Sequence, residues 1–300
     1  MKQFFLLSKS ALVITLSGLI IFSSCKKDSA TNSNDPNATL TVEAAQSDAV
    51  SDAQFDDVFN ITMGVQSSDV GENIGLGTGS GIIYRTADAE KTKSADSTAR
   101  CFTVTVEPAT LHVFPKTVTV DFGSGCLGKD GKLRKGKIIT TYTGPMFMRG
   151  SMATTTFENY NVDSFQIEGT HTVKNTSTSN AISWTVKVTG GKITNTLNGK
   201  WRKWDSERNH SQIHGSDTPY DFSDDIFQIT GSATGSNSNG VSWTSATTDP
   251  LTRRVSCHWI DAGKIKIVRN GNTAILDFGD GTCDNKMTIT INGISYNISL

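Results

Sequence analysis

The residues best suited to contact a ligand lie in one basic and aromatic segment, residues 200–204 (KWRKW). Trp201, Arg202 and Trp204 combine ring faces that can stack on sugars with a cation that can meet anionic groups. Because alternate strand residues point to opposite faces, one Trp ring is expected to be exposed and the other buried. We predict ligand binding at these three residues. The alternative is cross-strand packing, with Arg or Lys stacked over a Trp ring.

No residue pattern predicts a catalytic centre or a cofactor site. The Asp-Phe-Gly triplets at 121–123 and 277–279 lack every other motif of the protein kinases. The glycine-rich stretch 75–81 (GLGTGSG) has neither the Lys of a P-loop nor dinucleotide-binding spacing. We therefore expect no enzyme, no catalytic residue and no cofactor. A hydrolase site assembled from distant residues, such as Asp205, Glu207 or His258, is the alternative that one sequence cannot reveal.

Metal sites are also not predicted. Asp277, Asp280 and Asp284 could gather oxygens around Ca²⁺, but Asp and Gly are equally the residues that tight turns require. His210 and His214 lie four residues apart, which in a strand separates them by about 13 Å. The spacing of neither group favours a metal.

The N-terminus predicts export. Residues 1–10 carry two Lys, residues 11–22 are almost entirely apolar, and Ser23 and Ser24 precede Cys25. This arrangement is typical of a lipoprotein signal peptide over 1–24, with lipidation of Cys25 and attachment to the membrane through that lipid. The polar residues 25–39 predict a disordered tether. The expected location is the outer membrane of the cell envelope, with the cell surface as a further possibility.

The other four cysteines predict two disulfides in an exported chain. Asn270-Gly271 is a strong hairpin signal and places Cys257 nearly opposite Cys283. Cys101 and Cys126 have almost the same separation. We therefore predict the pairs Cys101–Cys126 and Cys257–Cys283.

Residues 40–69 predict a single helix, with a modest apolar stripe from Ala45 to Phe59. Asp48, Asp52 and Asp56 recur every four residues. We interpret them as a solvated face rather than a cation site.

Residues 70–300 predict an antiparallel β domain. Apolar residues alternate with Thr, Ser and Lys, as in strands buried on one face only, for example at 165–174 and 182–189. Glycine-containing pairs between the runs fit tight primed turns; they are Gly190-Gly191, Asn198-Gly199, Asn239-Gly240, Asn270-Gly271 and Asn292-Gly293. Residues 165–170 (FQIEGT) and 227–232 (FQITGS) repeat one pattern, which suggests duplicated hairpins. The expected fold class is all-β, a large hairpin-rich sandwich or curved open barrel.

The composition argues against two classes of protein, the nucleic-acid binders and the polytopic membrane proteins. With 28 Lys and Arg against 29 Asp and Glu, the net charge of −1 argues against a nucleic-acid binder. The single apolar run argues against a polytopic membrane protein.

The chain resembles a set of Bacteroidota outer-membrane and surface lipoproteins with no established activity. The resemblance rests on the paired D-F-G-x-G motifs followed by Cys, on residues 130–138 and on residues 283–286 (CDNK). It implies a fold and a location, and no catalytic residues. We expect a lipid-anchored, non-catalytic binding domain, with glycans as the first ligand class. An envelope scaffold that contacts another protein is the alternative.

Overall fold

The computed structural model describes residues 36–65, 67–75, 101–128, 130–178, 181–218, 224–257 and 259–299. The predicted signal peptide, Cys25 and residues 25–35 of the predicted tether lie outside these ranges. Helix α1 spans Pro36–Met63, so it begins four residues before Leu40 and includes the end of the predicted tether. Proline suits the first position of a helix because its missing N–H has no partner there. A second, four-residue helix α2 spans Ser67–Val70.

The described strands form one antiparallel sheet of 14 strands, which confirms the all-β, hairpin-rich class. Neighbours in sequence are neighbours in the sheet, except that the short β3 pairs only with β4, and the sheet does not close. The strands are β1 Thr103–Glu107, β2 Lys116–Asp121, β3 Cys126–Leu127, β4 Leu133–Tyr142, β5 Met152–Val162, β6 Phe165–Asn175, β7 Ser183–Asn195, β8 Trp201–His214, β9 Ile226–Asn237, β10 Ser242–Arg254, β11 Ala262–Arg269, β12 Asn272–Asp280, β13 Lys286–Ile291 and β14 Ile294–Ser299.

The sheet curves around α1, which packs against β6 and against every strand from β8 to β13. Alternate residues of each strand point towards the helix. In β8, for example, Trp204, Ser206, Arg208 and His210 are buried and the residues between them are exposed. The core therefore lies between the concave face of the sheet and the helix.

Two of the five predicted tight primed turns are confirmed, at 270–271 and 292–293, where both residues have positive φ. The pairs at 198–199 and 239–240 also lie between neighbouring strands, but in longer connections where only the glycine has positive φ. The prediction of a turn at Gly190-Gly191 was wrong, because β7 continues through both residues with a register shift there. A Cβ on Gly191 would lie 3.0 Å from Phe55 and 2.4 Å from the carbonyl oxygen of Trp204. The glycine pair therefore makes room for the helix rather than reversing the chain.

Both predicted disulfides, Cys101–Cys126 and Cys257–Cys283, are present. The first links the residues before β1 to β3, and the second links the connections that flank β11 and β12. In the described part of the chain, neither helix is long and apolar enough to cross a membrane.

Candidate functional site

The acidic residues of α1 face the sheet, so the interpretation of Asp48, Asp52 and Asp56 as a solvated face was wrong. Asp48 is fully buried, and its Oδ1 accepts hydrogen bonds from Trp204 Nε1 (2.9 Å), Trp243 Nε1 (2.9 Å) and Ser245 Oγ (3.0 Å). This carboxylate therefore joins the helix to two strands through neutral donors.

Two further carboxylates of the helix are neutralised by arginines from the sheet. Asp57 pairs with Arg134 (Oδ1 to Nη2, 2.6 Å) and with Lys132 (Oδ1 to Nζ, 3.1 Å). Burial alone would raise the pKa of Asp57, but these two cations hold it below its ordinary value. Asp56 pairs with Arg253, which also donates to Asn60 Oδ1 at 3.0 Å.

Asp52 is the least well paired of these acids. Its side chain is 18% exposed, and its Oδ1 lies 3.5 Å from Arg208 Nε. Burial raises the pKa of Asp52 to about 6; Arg208 lowers it, and the nearby Asp48 and Asp56 raise it further. Asp52 can therefore change charge near neutral pH.

Beside this part of the helix lies a cleft of about 360 Å³. Its helical wall contains Ala49, Val50 and Ala53, whose short side chains leave the space open. The opposite walls are largely apolar, with Phe165, Phe278, Met287, Trp259 and Ile260. Charged residues also border the cleft, namely Asp52, Asp56, Asp57, Lys132, Asp163, Asp284 and Lys286. The cleft is thus an apolar space with a polar border.

A second, inner cavity of about 30 Å³ lies between α1 and the sheet, lined by Arg208, His171 and His210 among others. The Arg208 side chain is 4% exposed, and none of its three guanidinium nitrogens makes a hydrogen bond within the described residues. Both ring nitrogens of the buried His171 are likewise without a hydrogen bond there. Burial lowers the pKa of each histidine to about 3, so both are neutral at physiological pH.

The structure separates the three residues predicted to bind a ligand. Trp204 is 2% exposed, is bonded to Asp48 and lines the inner cavity, so it is the buried ring of the pair and is not available on the outer surface. Trp201 and Arg202 border a different pocket of about 330 Å³, together with Glu43, Lys200 and Asn239. Lys203 lies 5.5 Å from the centre of the Trp201 ring, which is the packing alternative considered above.

The predicted turn role of the C-terminal aspartates is supported. Asp277, Asp280 and Asp284 each accept a hydrogen bond from a backbone N–H two residues later. Across the described ranges, no group of three or more His, Cys, Asp or Glu could hold a metal ion.

Two of the residues considered for a hydrolase site, Asp205 and Glu207, border neither the cleft nor the inner cavity. Asp205 and Glu207 are exposed on the outer face of β8, where Asp205 accepts a hydrogen bond from Gly190 N–H and Glu207 faces Lys187. His258 lies outside the described residues.

Comparison with known proteins identified no relative. No protein-family model matches the chain, and neither the curated proteins nor the solved structures contain a significant match.

The sequence reasoning missed the cleft and the inner cavity, although one signal for the cavity was available. Arg208 and His210 are separated from Trp204 by an even number of positions in β8, so their side chains point to the same face as Trp204. If Trp204 is the buried ring, Arg208 and His210 are expected to be buried as well. Phe278 and Met287 lie in the paired strands β12 and β13, whereas Phe165 lies far away in sequence in β6, and no local pattern shows that the three share a cleft.

Proposed function

We propose that the chain is a lipid-anchored protein of the outer membrane whose β domain binds a small, largely apolar molecule without catalysing a reaction. The supporting observation is the cleft of about 360 Å³ beside α1, a volume within the range of small-molecule sites. The anchoring part of the proposal rests on the sequence of residues 1–25 and on the resemblance to Bacteroidota lipoproteins.

The residues of the cleft favour an apolar ligand over a saccharide. Ala49 and Ala53 leave a shallow helical surface, and Phe165, Phe278 and Met287 supply apolar contacts opposite it. Sites for apolar ligands combine such walls with a few convergent polar groups, and Asp52 is one here.

A fluorescence titration with N-phenyl-1-naphthylamine, a neutral apolar probe, tests this proposal. The described residues begin at Pro36, so a chain starting at Lys26 contains all of them. We expect saturable binding that is weakened at least tenfold by Ala53→Leu, because the larger side chain fills the cleft.

The matched control for this substitution is Thr39→Leu. Thr39 is exposed on the same helix and does not border the cleft, so the variant adds the same side chain away from the proposed site. It should leave the affinity unchanged. Absence of saturable binding, or equal effects of the two substitutions, would contradict the proposal.

Glycan binding is a second candidate, supported by the pocket of about 330 Å³ that Trp201 and Arg202 border. Asn237 and Asn239 also border it, and their amide nitrogens both donate to Glu43 Oε1, so the Trp201 ring lies beside a hydrogen-bonded polar wall. A glycan-array signal that is lost in Trp201→Ala and retained in Leu197→Ala would support this candidate. Leu197 is a suitable control because it is 82% exposed in the preceding turn. A blank array would exclude it for the glycans tested.

A further inference from the structure

The cleft and the inner cavity are adjacent, because Asp52, Asp56 and Ile260 line both. The two spaces therefore share a wall formed in part by these three side chains. The cleft is largely apolar, and the cavity places Arg208, His171 and His210 among apolar side chains such as Phe55 and Ile229.

The cavity contains hydrogen-bonding groups that the described residues do not satisfy. Arg208 offers two terminal nitrogens without a hydrogen bond, its Nε has only the 3.5 Å ion pair with Asp52, and His171 offers both nitrogens of a neutral ring. Buried donors without partners are unfavourable, and a guanidinium most readily meets a two-oxygen acceptor such as a carboxylate. The cavity of about 30 Å³ has room for a head group of that size and not for a ring.

Arg208 is the cation that lines the cavity in the described residues, and an acid becomes its complement once Asp52 is protonated. Asp56 is paired with Arg253 and Asp57 with Arg134, whereas Arg208 has a 3.5 Å contact with Asp52 and lies 6.0 Å from the centre of the Trp204 ring, with no hydrogen bond among the described residues. A cationic head group would leave the Arg208 donors unpaired and would be repelled by them.

We propose that the cleft binds an amphiphilic carboxylic acid, with its alkyl chain in the cleft and its carboxylate bonded to Arg208 and His171. This inference rests on the proposed function, since it assigns the ligand class of the same cleft.

Protonation of Asp52 should assist this binding. A neutral Asp52 does not repel a carboxylate and can donate a hydrogen bond to it, and its raised pKa makes this form accessible near pH 6. The charged and titratable groups facing Asp52 are Asp48 and Asp56 on its own helix, Arg208 and His210 on β8, His171 on β6 and Arg253 on β10. We therefore expect decanoate to bind more tightly at pH 5.5 than at pH 7.5.

Calorimetric titration of the chain from Lys26 with decanoate and with decanol tests the proposal. Decanoate should bind at least tenfold more tightly than decanol at pH 5.5. Arg208→Met should remove that difference by weakening the binding of decanoate. Arg202→Met is the matched control, since it removes an arginine from the same strand outside the cleft.

The outcomes separate this inference from the proposed function. Equal binding of acid and alcohol, with no effect of Arg208→Met, would overturn the carboxylate assignment while leaving an apolar ligand in the cleft. Failure of both ligands and of N-phenyl-1-naphthylamine would overturn the cleft proposal itself. The comparison of acid with alcohol in the unchanged chain decides the question even if Arg208→Met fails to fold.

Discussion

Asp48 shows how a single carboxylate can be buried without a cationic partner. One of its oxygens receives three hydrogen bonds from neutral donors, and the other, Oδ2, makes none among the described residues. An asparagine can keep the accepting oxygen and place its amide where the second oxygen lies.

We therefore expect Asp48→Asn to change the free energy of unfolding by less than about 1 kcal/mol, because it preserves the acceptor and removes a buried charge. Asp48→Ala should lower it by about 3 kcal/mol or more, because it leaves two indole N–H groups and a hydroxyl unsatisfied. Urea unfolding followed by Trp fluorescence measures both values. Equal losses of unfolding free energy in the two variants would show that the charge of Asp48, and not its hydrogen-bond acceptor, stabilises the fold.

For individual residues, the most informative sequence signal was whether an odd or an even number of positions separates two residues of a strand. It correctly assigned Trp201 and Trp204 to opposite faces of β8. It could not decide which ring was buried, because Trp204 is held by Asp48, which lies 156 positions away in sequence.

At the scale of elements, the sheet requires glycine where strands bend around the helix. The repeated pattern at 165–170 and 227–232 has a glycine with positive φ at its fifth position each time, Gly169 and Gly231. A Cβ at Gly231 would lie 2.1 Å from the carbonyl oxygen of Glu207 in β8. The sequence repeat thus marks two equivalent close approaches between neighbouring strands.

We expect Gly231→Ala to lower the free energy of unfolding by about 3 kcal/mol or more, since the methyl group meets backbone that cannot move aside. Gly240→Ala is the control, because Gly240 also has positive φ but nothing lies within 4 Å of its Cβ position. It should cost about 1–2 kcal/mol from backbone strain alone. Thermal unfolding of both variants measures the difference, and similar losses would show that steric contact at Gly231 is unimportant.

The buried positions of the helix were harder to predict from sequence than those of the strands, and the reason is physical. A helix on the surface of a domain has one apolar stripe, whereas α1 packs against seven strands and is buried on several sides. Its sheet-facing positions include Ser47, Asp48, Ser51 and Asp57 beside alanines. Polar residues at such positions resemble a solvated face until their partners in the sheet are known.

For the whole molecule, the sequence predicted the fold class, the position of most turns and both disulfides, because each of these depends on local signals. Strand alternation and the Asn-Gly pairs are examples. The curvature of the sheet around α1, and therefore the cleft, depends on contacts among distant hairpins. No local pattern encodes them.

The disulfides should contribute to the stability of the whole sheet. Their sequence separations of 25 and 26 residues correspond to about 3 kcal/mol each on a chain-entropy model. We expect each double Cys→Ser variant, at 101/126 or at 257/283, to lower the urea midpoint relative to the oxidised chain. Adding a reductant should then lower the unchanged chain further than either variant. A midpoint unaffected by reduction would contradict this expectation.

The two buried histidines make the stability of the whole molecule sensitive to acid. The pKa of each is about 3 in the folded protein, against about 6.5 when unfolded, so the unfolded chain binds more protons between these values. Their contribution to stability is complete above pH 6.5 and is lost as the pH falls below it. Asp52 acts in the opposite direction, because its raised pKa makes the folded state the better proton acceptor between about 6 and 3.8.

With two histidines against one carboxyl, we expect the free energy of unfolding to fall by about 2 kcal/mol between pH 7 and pH 5. Urea titrations at the two values measure this change. In the double variant His171→Leu and His210→Leu the Asp52 effect dominates this interval, because Asp57 and Glu72, whose lowered pKa values destabilise the fold in acid, act mainly below pH 5. The sign should therefore reverse, and the protein should be about 1 kcal/mol more stable at pH 5 than at pH 7. A double variant that lost stability in acid as the unchanged chain does would show that other groups control the response.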